Sequence, residues 1–586
     1  MITAVCRSKQ WALFLGLFLI SLIFHTYNLE HASYDLDEAA HIWHAQKPYS
    51  DVVAQASHDP NPPVYNLILS SWVKVFGVSE FSTRFLSVLF GALGVGIMFL
   101  IGSRNFGLAV GLMAALFYCF SPIQFRFTHL ARPYSILMVT VLLSYGGLFE
   151  VLRNASKRRL FMYYLVTTAM LYVHPTSVFN LAAQGLMILT YHLKDWKSTL
   201  RVFVPMLLAF LSFVAWVVSI PYFERNDTMW FDAPGWEEVK YVLLVFYANG
   251  KLLILQLVLL LLAFALLLKY KNRDSVYKFL WLFLWCCIPF LLSICFSHLV
   301  KPVFQDKYIL SVQPGMMLLL AYSIYQLRSK LIRLAGFVLA SVIMLSSMDV
   351  TLNPEGDWRK AIEFLKNEQT NDESAILLNP WYEFRTFSYY YDRRSYKAPD
   401  STFKNLVNSN VFTSWHDVYD TLNLKPKFDV FHSLVTHAGL NSRVLDIEVL
   451  KAGATLVREK KFIGINIETY ALHRKMETQD EYSSSKVLSF SSLESDSSVS
   501  LTVKVDIMEY DNLDGVLMIT SVENKEGKSV FYRSKSIVEG DVANGNLSFE
   551  DKIRFPEFKK DWVVTVFLRN TEQQNFQYRS LTITAD

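Results

Sequence analysis

Apolar runs of membrane-spanning length recur through the first 350 residues of this chain, and no other feature constrains its fold as tightly. A helix needs about 20 mostly apolar residues to cross the hydrocarbon layer. Such runs lie near 10–28, 82–102, 106–123, 134–152, 159–175, 177–193, 202–220, 251–269, 278–298, 308–327 and 333–349. That amounts to roughly eleven spans. The first run, WALFLGLFLISLIF, follows Arg7 and Lys9 but has no A-x-A-type cleavage site. It reads as an uncleaved span, not a signal peptide. Residues 241–247 read as an interfacial helix or part of a further span. A chain that is 52% hydrophobic and 18% charged, with a mean hydropathy of +0.25, is too apolar for a soluble protein of 586 residues. The net charge of +4 gives no case for nucleic-acid binding. Cys6, Cys119, Cys286, Cys287 and Cys295 all lie in or beside apolar runs, so no disulfide framework or Cys-based zinc site is legible.

Orientation follows from the basic residues of the short loops. One alternate set carries Arg7 and Lys9, then Arg104, then Arg153, Lys157, Arg158 and Arg159. It continues with Lys194, Lys197 and Arg201, with Lys269, Lys271, Arg273 and Lys278, and with Arg328, Lys330 and Arg333. The other set is far poorer. The rich set is expected in the cytoplasm, with the N-terminus. An odd number of spans then puts residues 29–80 and everything after 350 outside.

Three domains are expected. Residues 1–350 form the membrane domain. Residues 351–475 form an extracytoplasmic α/β domain, in which GDWRKAIEFLKNEQ reads as a surface helix and SAILLNP, KFDVFHSLV and KFIGINIETYALH read as strands. The serine-rich EYSSSKVLSFSSLESDSSVS reads as a linker. Residues 476–586 form an extracytoplasmic β-sandwich, because LTVKVDIM, GVLMIT, VFYRSK, LSFEDKIRF, WVVTVFL and QYRSLTIT alternate apolar and polar residues between turns.

The outer loop 29–80 is long, and long loops often carry function. It opens with Asp35, Asp37 and Glu38 in YDLDEAAHIWHAQ, continues through His58, Asp59 and Asn61 in HDPNPPVYN, and ends with Glu80 and Arg84 in SEFSTRF. Taken alone, DLDE reads as a helix cap favoured by the dipole, and Glu80 with Arg84 as a surface pair. A second outer segment, SPIQFRFTHLARPYSILM, adds Arg126, His129, Arg132 and Tyr134. HLVKPVFQDKYIL adds Lys301, Asp306, Lys307 and Tyr308, and LYVHPTSVF adds His174. Ionisable groups at interface depth are costly and usually have a task. Attack on a lipid phosphate ester suits them: a carboxylate takes a proton from a hydroxyl, and Lys and Arg hold the phosphate as it leaves. No G-x-x-x-x-G-K-[ST] loop supports a nucleotide site.

As an ordered set, DEAAHIWHAQ, NPPVYNLILSSWVKVFGVSEFSTRFLSVLFGALG, FGLAVGLMAALFYCFSPIQF, ARPYSIL, LYVHPTSVF, KPVFQDKYIL and DWRKAIEFL resemble one family over residues 35–365. It is the GT-C glycosyltransferases of the dolichyl-phosphate-mannose/protein O-mannosyltransferase type, in the bacterial branch of aminoarabinose and Rgt-type transferases. The resemblance implies a polytopic GT-C membrane fold, a polyprenyl-phosphate-sugar donor and an acceptor hydroxyl outside the cytoplasm, on a glycan, a lipid A-like lipid or a protein. It implies location in a bacterial inner membrane. By the same likeness Asp37 is the base and Glu38 its neighbour in the motif, while Asp35 falls just outside it. Lys307 and Tyr308 match a basic-Tyr pair at the donor phosphate, and Arg132 and Tyr134 an Arg-x-Tyr pair. The chain departs from the pattern at Leu130, where relatives often carry an acid, at Asn61, often His or Lys, and at Lys307, often Arg with its bidentate fork.

The expected reaction is an inverting hexosyl or pentosyl transfer needing no cofactor. The rest of the set, Asp35, His58, Asn61, Glu80, Arg84, Arg126, His174 and Lys301, is expected to contact substrate. One metal alternative stays open: Asp37, His41 and His44 have i, i+4, i+7 spacing and could share a divalent ion on one helix face. A transporter or flippase of lipid-linked sugars is the rival class, though no internal repeat is visible. A membrane scaffold whose outer β domains bind glycan is another.

Overall fold

The computed structural model describes residues 2–586 apart from 57–60, 193–194, 221–231, 249, 271–272, 353–355, 369–373, 414–427, 429, 437–443, 452–453, 473–485, 491–498, 511, 525–527, 544–545, 557, 572–573, 575 and 586. The chain forms two compact units. One comprises Met1–Ala32 with Ala40–Asn353, the other Ser33–Ala39 with Pro354–Asp586.

In the first unit every apolar run is helical: Ile2–Thr26, Glu80–Phe106, Leu108–Cys119, Tyr134–Arg153, Lys157–Val173, Phe179–Tyr191, Trp196–Ser219, Gly250–Tyr270, Arg273–Leu299, Gln313–Gln326 and Lys330–Ser346. Among the described residues, six of these are long and apolar enough to cross a membrane by length and composition. A seventh is added if Leu108–Cys119 and Pro122–Thr128, bent by 57°, make one span. The other four helices, of 17, 13, 14 and 17 residues, fall short. Of the eleven expected spans, six or seven are therefore helices of full length. The apolar runs extend through residues that turn, such as Pro122 after Cys119 and the His174–Pro175 step after Val173. An eleven-residue helix, Trp236–Phe246, covers the proposed interfacial segment.

Small residues let two of these helices touch at the backbone. A Cβ on Gly111 would lie 2.3 Å from the backbone nitrogen of Ser103, and one on Gly102 would lie 2.7 Å from the Cα of Gly111. Close approach of this kind is how helices associate where no hydrophobic drive separates protein from lipid. Gly107, at φ +106°, makes the reversal between them. The outer loops are tied to the helix ends. Arg84, fully buried, donates to the carbonyls of Leu29 (3.1 Å) and Ala32 (2.7 Å). His129 Nε2 lies 2.9 Å from the Tyr27 carbonyl, and Ser87 Oγ donates to Leu130 at 2.7 Å.

The second unit holds three sheets. Strands β1 (Ser374–Asn379), β2 (Val411–Phe412), β3 (Val430–Thr436), β4 (Ala454–Phe462) and β5 (Ile465–Leu472) form one sheet in the order β2-β1-β3-β5-β4. The β2, β1 and β3 strands are parallel, and β5 and β4 run antiparallel. The amphipathic helix Trp358–Glu368 buries Trp358, Ala361, Ile362 and Leu365, as its apolar spacing requires. KFIGINIETYALH, expected as one strand, contains a turn instead: Gly464, at φ +65°, reverses the chain between β4 and β5.

Strands β6 (Lys486–Ser489), β7 (Val499–Tyr510), β8 (Val516–Glu523), β9 (Ser529–Ser536), β10 (Asp541–Ala543), β11 (Asn546–Phe555), β12 (Val563–Asn570) and β13 (Phe576–Ala585) form two four-stranded sheets. Their orders are β10-β11-β7-β13 and β6-β12-β8-β9. Inward residues of both, including Val503, Val505, Met518, Val564 and Val566, share one core, the arrangement of a sandwich. The buried Asp551 of β11 pairs with Arg533 (3.2 Å) and Lys535 (2.8 Å) of β9. The serine-rich stretch is not all linker: β6 lies within it and pairs with β12. Its residues 481–485 and 491–498 lie outside the described ones.

Candidate active site

The acidic segment begins the helix Leu36–Ala45. Asp35 caps it: its carbonyl accepts from Ala39 N–H at 3.1 Å, and its Oδ1 accepts from Glu38 N–H. Glu38 Oε2 accepts in return from Asp35 N–H at 3.2 Å. This reciprocal pair is a capping box, and the acids also suit the positive end of the helix dipole. The helix-cap reading of DLDE thus holds for Asp35 and Glu38. Between them Asp37 is exposed, while Glu38 is fully buried. Of two adjacent carboxylates, Asp37 is the one turned toward solvent.

The basic residues gather in the first unit. His174 follows the helix Lys157–Val173 in a turn; its Nδ1 lies 2.9 Å from Thr176 Oγ1, whose hydroxyl donates to the Tyr308 carbonyl. The His174 ring lies 5.6 Å from that of Tyr308 and 6.1 Å from that of Tyr134. Arg132 Nη2 donates to Tyr134 Oη at 3.2 Å, and Lys307 Nζ lies 5.3 Å from the centre of the Tyr308 ring. Burial first, then repulsion from Arg132, Lys307 and His41, pushes the His174 imidazole down to about 3. It is a neutral hydrogen-bonding group set among cations. Asp306 organises the approach to Lys307: one oxygen accepts from Arg126 at 2.8 Å and the other from the Lys307 backbone N–H at 2.7 Å. The structure thus brings together Arg132, Tyr134, His174, Lys307 and Tyr308. These are donors suited to an anion.

Arg84 holds the carbonyls of Leu29 and Ala32, just before the acidic segment. Glu80 is buried in the first turn of its helix. Arg126 is engaged with Asp306. Asn61 and Lys301 are half-buried, Asn61 just before the proline pair that starts the helix Pro63–Phe76. His58 and Asp59 lie outside the described residues. Among the described residues no three His, Cys, Asp or Glu side chains converge as metal ligands. His41 Nδ1 instead lies 2.7 Å from Asn66 Oδ1, and its ring meets Tyr65 edge-on at 5.4 Å. Asn66, Tyr65 and Thr176 are site neighbours that the sequence reading passed over. They come from the same quoted segments, NPPVYN and HPTSVF, but no charge marks them.

Residues 60–222 match the family described as dolichyl-phosphate-mannose-protein mannosyltransferase. No curated protein sequence matches the chain. Among solved structures, ArnT from Cupriavidus metallidurans in the apo state is 12% identical, with a TM-score of 0.50, covering 79% of this chain and 98% of that one. The same protein bound to undecaprenyl phosphate scores 0.47 at the same identity and coverage. The oligosaccharyltransferase of Archaeoglobus fulgidus, in complex with Zn and sulfate, is 8% identical with a TM-score of 0.42, covering 97% of this chain and 98% of that one. The chain has the fold of the GT-C glycosyltransferases. Its resemblance to the mannosyltransferase type, read first from short motifs, is met by the family match over residues 60–222.

Proposed function

We propose that this chain is an integral membrane glycosyltransferase that moves a sugar from a polyprenyl phosphate to an acceptor hydroxyl. The observation that carries the reading is the cluster in which the His174 ring lies between Tyr134, bonded to Arg132, and Tyr308, beside Lys307. Two cations and a hydrogen-bonding imidazole suit a phosphate that gains charge as its sugar leaves. The family matched by residues 60–222 is named for a lipid-phosphate sugar donor, and ArnT has been seen with undecaprenyl phosphate. Both support a polyprenyl-phosphate donor here.

The transfer is inverting. Asp37, the exposed carboxylate of the motif, takes the proton of the acceptor hydroxyl. The hydroxyl oxygen attacks the anomeric carbon, and the bond from that carbon to the phosphate oxygen breaks. Lys307 and Arg132 take up the charge of the departing lipid phosphate. Apolar helices hold its tail. The basic loops support a cytoplasmic N-terminus and a C-terminal part outside, and the family resemblance supports a bacterial inner membrane. The proposed transfer needs no metal, so a chelator should leave turnover unchanged; loss of turnover would favour the divalent-ion alternative.

Mass spectrometry of envelope glycans and lipid-linked intermediates in a deletion strain tests the reading. One sugar should be missing from an envelope component while its polyprenyl-phosphate form accumulates. An unchanged envelope, or a lipid-linked sugar stranded on the cytoplasmic face as a flippase defect would leave it, would overturn the proposal.

A further inference from the structure

After β1 the sequence runs FRTFSYYYDRRSY, rich in tyrosine. It folds into the helices Phe384–Tyr391 and Arg393–Tyr396. Tyrosines from these helices reach the acidic segment, which belongs to the same compact unit. At the front of the segment, the Tyr390 hydroxyl accepts from Tyr34 N–H at 2.7 Å. At its end, the Tyr396 hydroxyl donates to the Ala39 carbonyl at 2.7 Å. The ring of Tyr389 meets that of Tyr34 edge-on at 4.6 Å and that of Tyr396 at 5.2 Å. Tyr34, Tyr389 and Tyr396 are all buried. The capping box of Asp35 and Glu38 fixes the stretch between the two hydroxyls.

The backbone is therefore held on both sides of Asp37, and the Asp37 side chain is exposed between the two holds. Burial above all pushes the Tyr396 phenol well above its usual range, against the opposing pull of Arg385. Tyr396 stays protonated, and so stays a donor, at any pH the protein meets. A general base acts only where its oxygen lies within hydrogen-bond reach of the proton it takes. A displacement of about 1 Å can cost on the order of a hundredfold in rate.

We infer that Tyr390 and Tyr396 are positioning residues for the transfer, fixing the backbone on either side of Asp37 so that its carboxylate is aimed. The inference rests on the reading of Asp37 as the base. On it, the α/β part of the chain belongs to the catalytic machinery.

The test uses the full-length protein in lipid nanodiscs with a polyprenyl-phosphate sugar donor. Tyr390→Phe and Tyr396→Phe each remove one hydroxyl and keep the ring. The double variant should lose about tenfold in kcat with the donor KM within about twofold. Amide exchange at residues 34–39 should speed up in it. In the Asp37→Asn background the two changes should lower the residual rate no further, because they act through that carboxylate. Unchanged exchange at 34–39, or an equal loss in the presence and absence of Asp37, overturns the inference. If Asp37→Asn inactivates the enzyme while the double variant keeps the wild-type kcat, positioning alone fails. If Asp37→Asn keeps full activity, the role given to Asp37 fails and positioning fails with it. Should the double variant not fold, each single variant carries the same test at about threefold.

Discussion

The acidic segment and the basic cluster are built in opposite ways. The acidic segment is local: within five residues, Asp35 and Glu38 cap one helix and leave Asp37 exposed between them. The basic cluster is assembled from afar. Arg132 precedes the helix that Tyr134 begins, His174 follows another, and Lys307 and Tyr308 come from a loop more than a hundred residues later. Backbone hydrogen bonds made by Thr176 and Asp306 hold that cluster. A proton acceptor has to be exact in place, and a short capped segment gives that. A phosphate site has to spread charge, and cations drawn from several elements give that.

If the two regions divide the work in this way, one substitution in each should fail differently. Asp37→Asn keeps the shape of the acidic segment and removes the base. Purified enzyme should bind donor as before and lose about 10²–10⁴-fold in turnover; full turnover would break the comparison outright. Lys307→Ala should act on binding, raising the donor Kd by about ten- to a hundredfold, as titration with the polyprenyl-phosphate sugar would show. An unchanged Kd would take Lys307 out of the donor site.

Acid should act on the basic cluster before any chemistry. His174 in the fold is held down to about 3, whereas in the unfolded chain it titrates near 6.5. Above about 6.5 neither state takes the proton, so stability is whole. As pH falls from there toward 3, the unfolded state binds it first, and stability drops by about 1.4 kcal/mol per unit. Thermal melts across that window should show the loss, and His174→Gln should flatten it. The smallest effect is expected at Glu38→Gln. The amide oxygen still accepts from the Asp35 N–H, so kcat should fall by about threefold or less. A loss matching that of Asp37→Asn would make Glu38 a catalytic partner and not a cap.

The contrast also explains what could be read from the sequence. The helices announced themselves by apolar runs, and the sandwich strands by alternation, since each pattern is local. The acidic motif was legible for the same reason, down to the capping alternative. The basic residues were legible only as charges on outer loops. That Arg126 is tied to Asp306, and that Arg84 braces a backbone turn, depends on which loops meet. Asn66 and Thr176 carry no charge, and nothing in their spacing sets them apart. The turn at Gly464 was passed over because a single glycine inside an apolar run does not reveal whether the chain reverses there.

The bend between Leu108–Cys119 and Pro122–Thr128 reaches further than its size. An even number of crossings returns a chain to the face it started from, and the six helices of full length make an even number. The bent pair is the odd member. If it passes through the bilayer, the chain leaves its last span on the face opposite the start of its first. If it dips and returns, the chain leaves on the face where it began. The orientation proposed above needs the crossing, so a reporter fused at the C-terminus should change compartment when that kinked segment alone is removed; an unchanged compartment would mark a re-entrant pair.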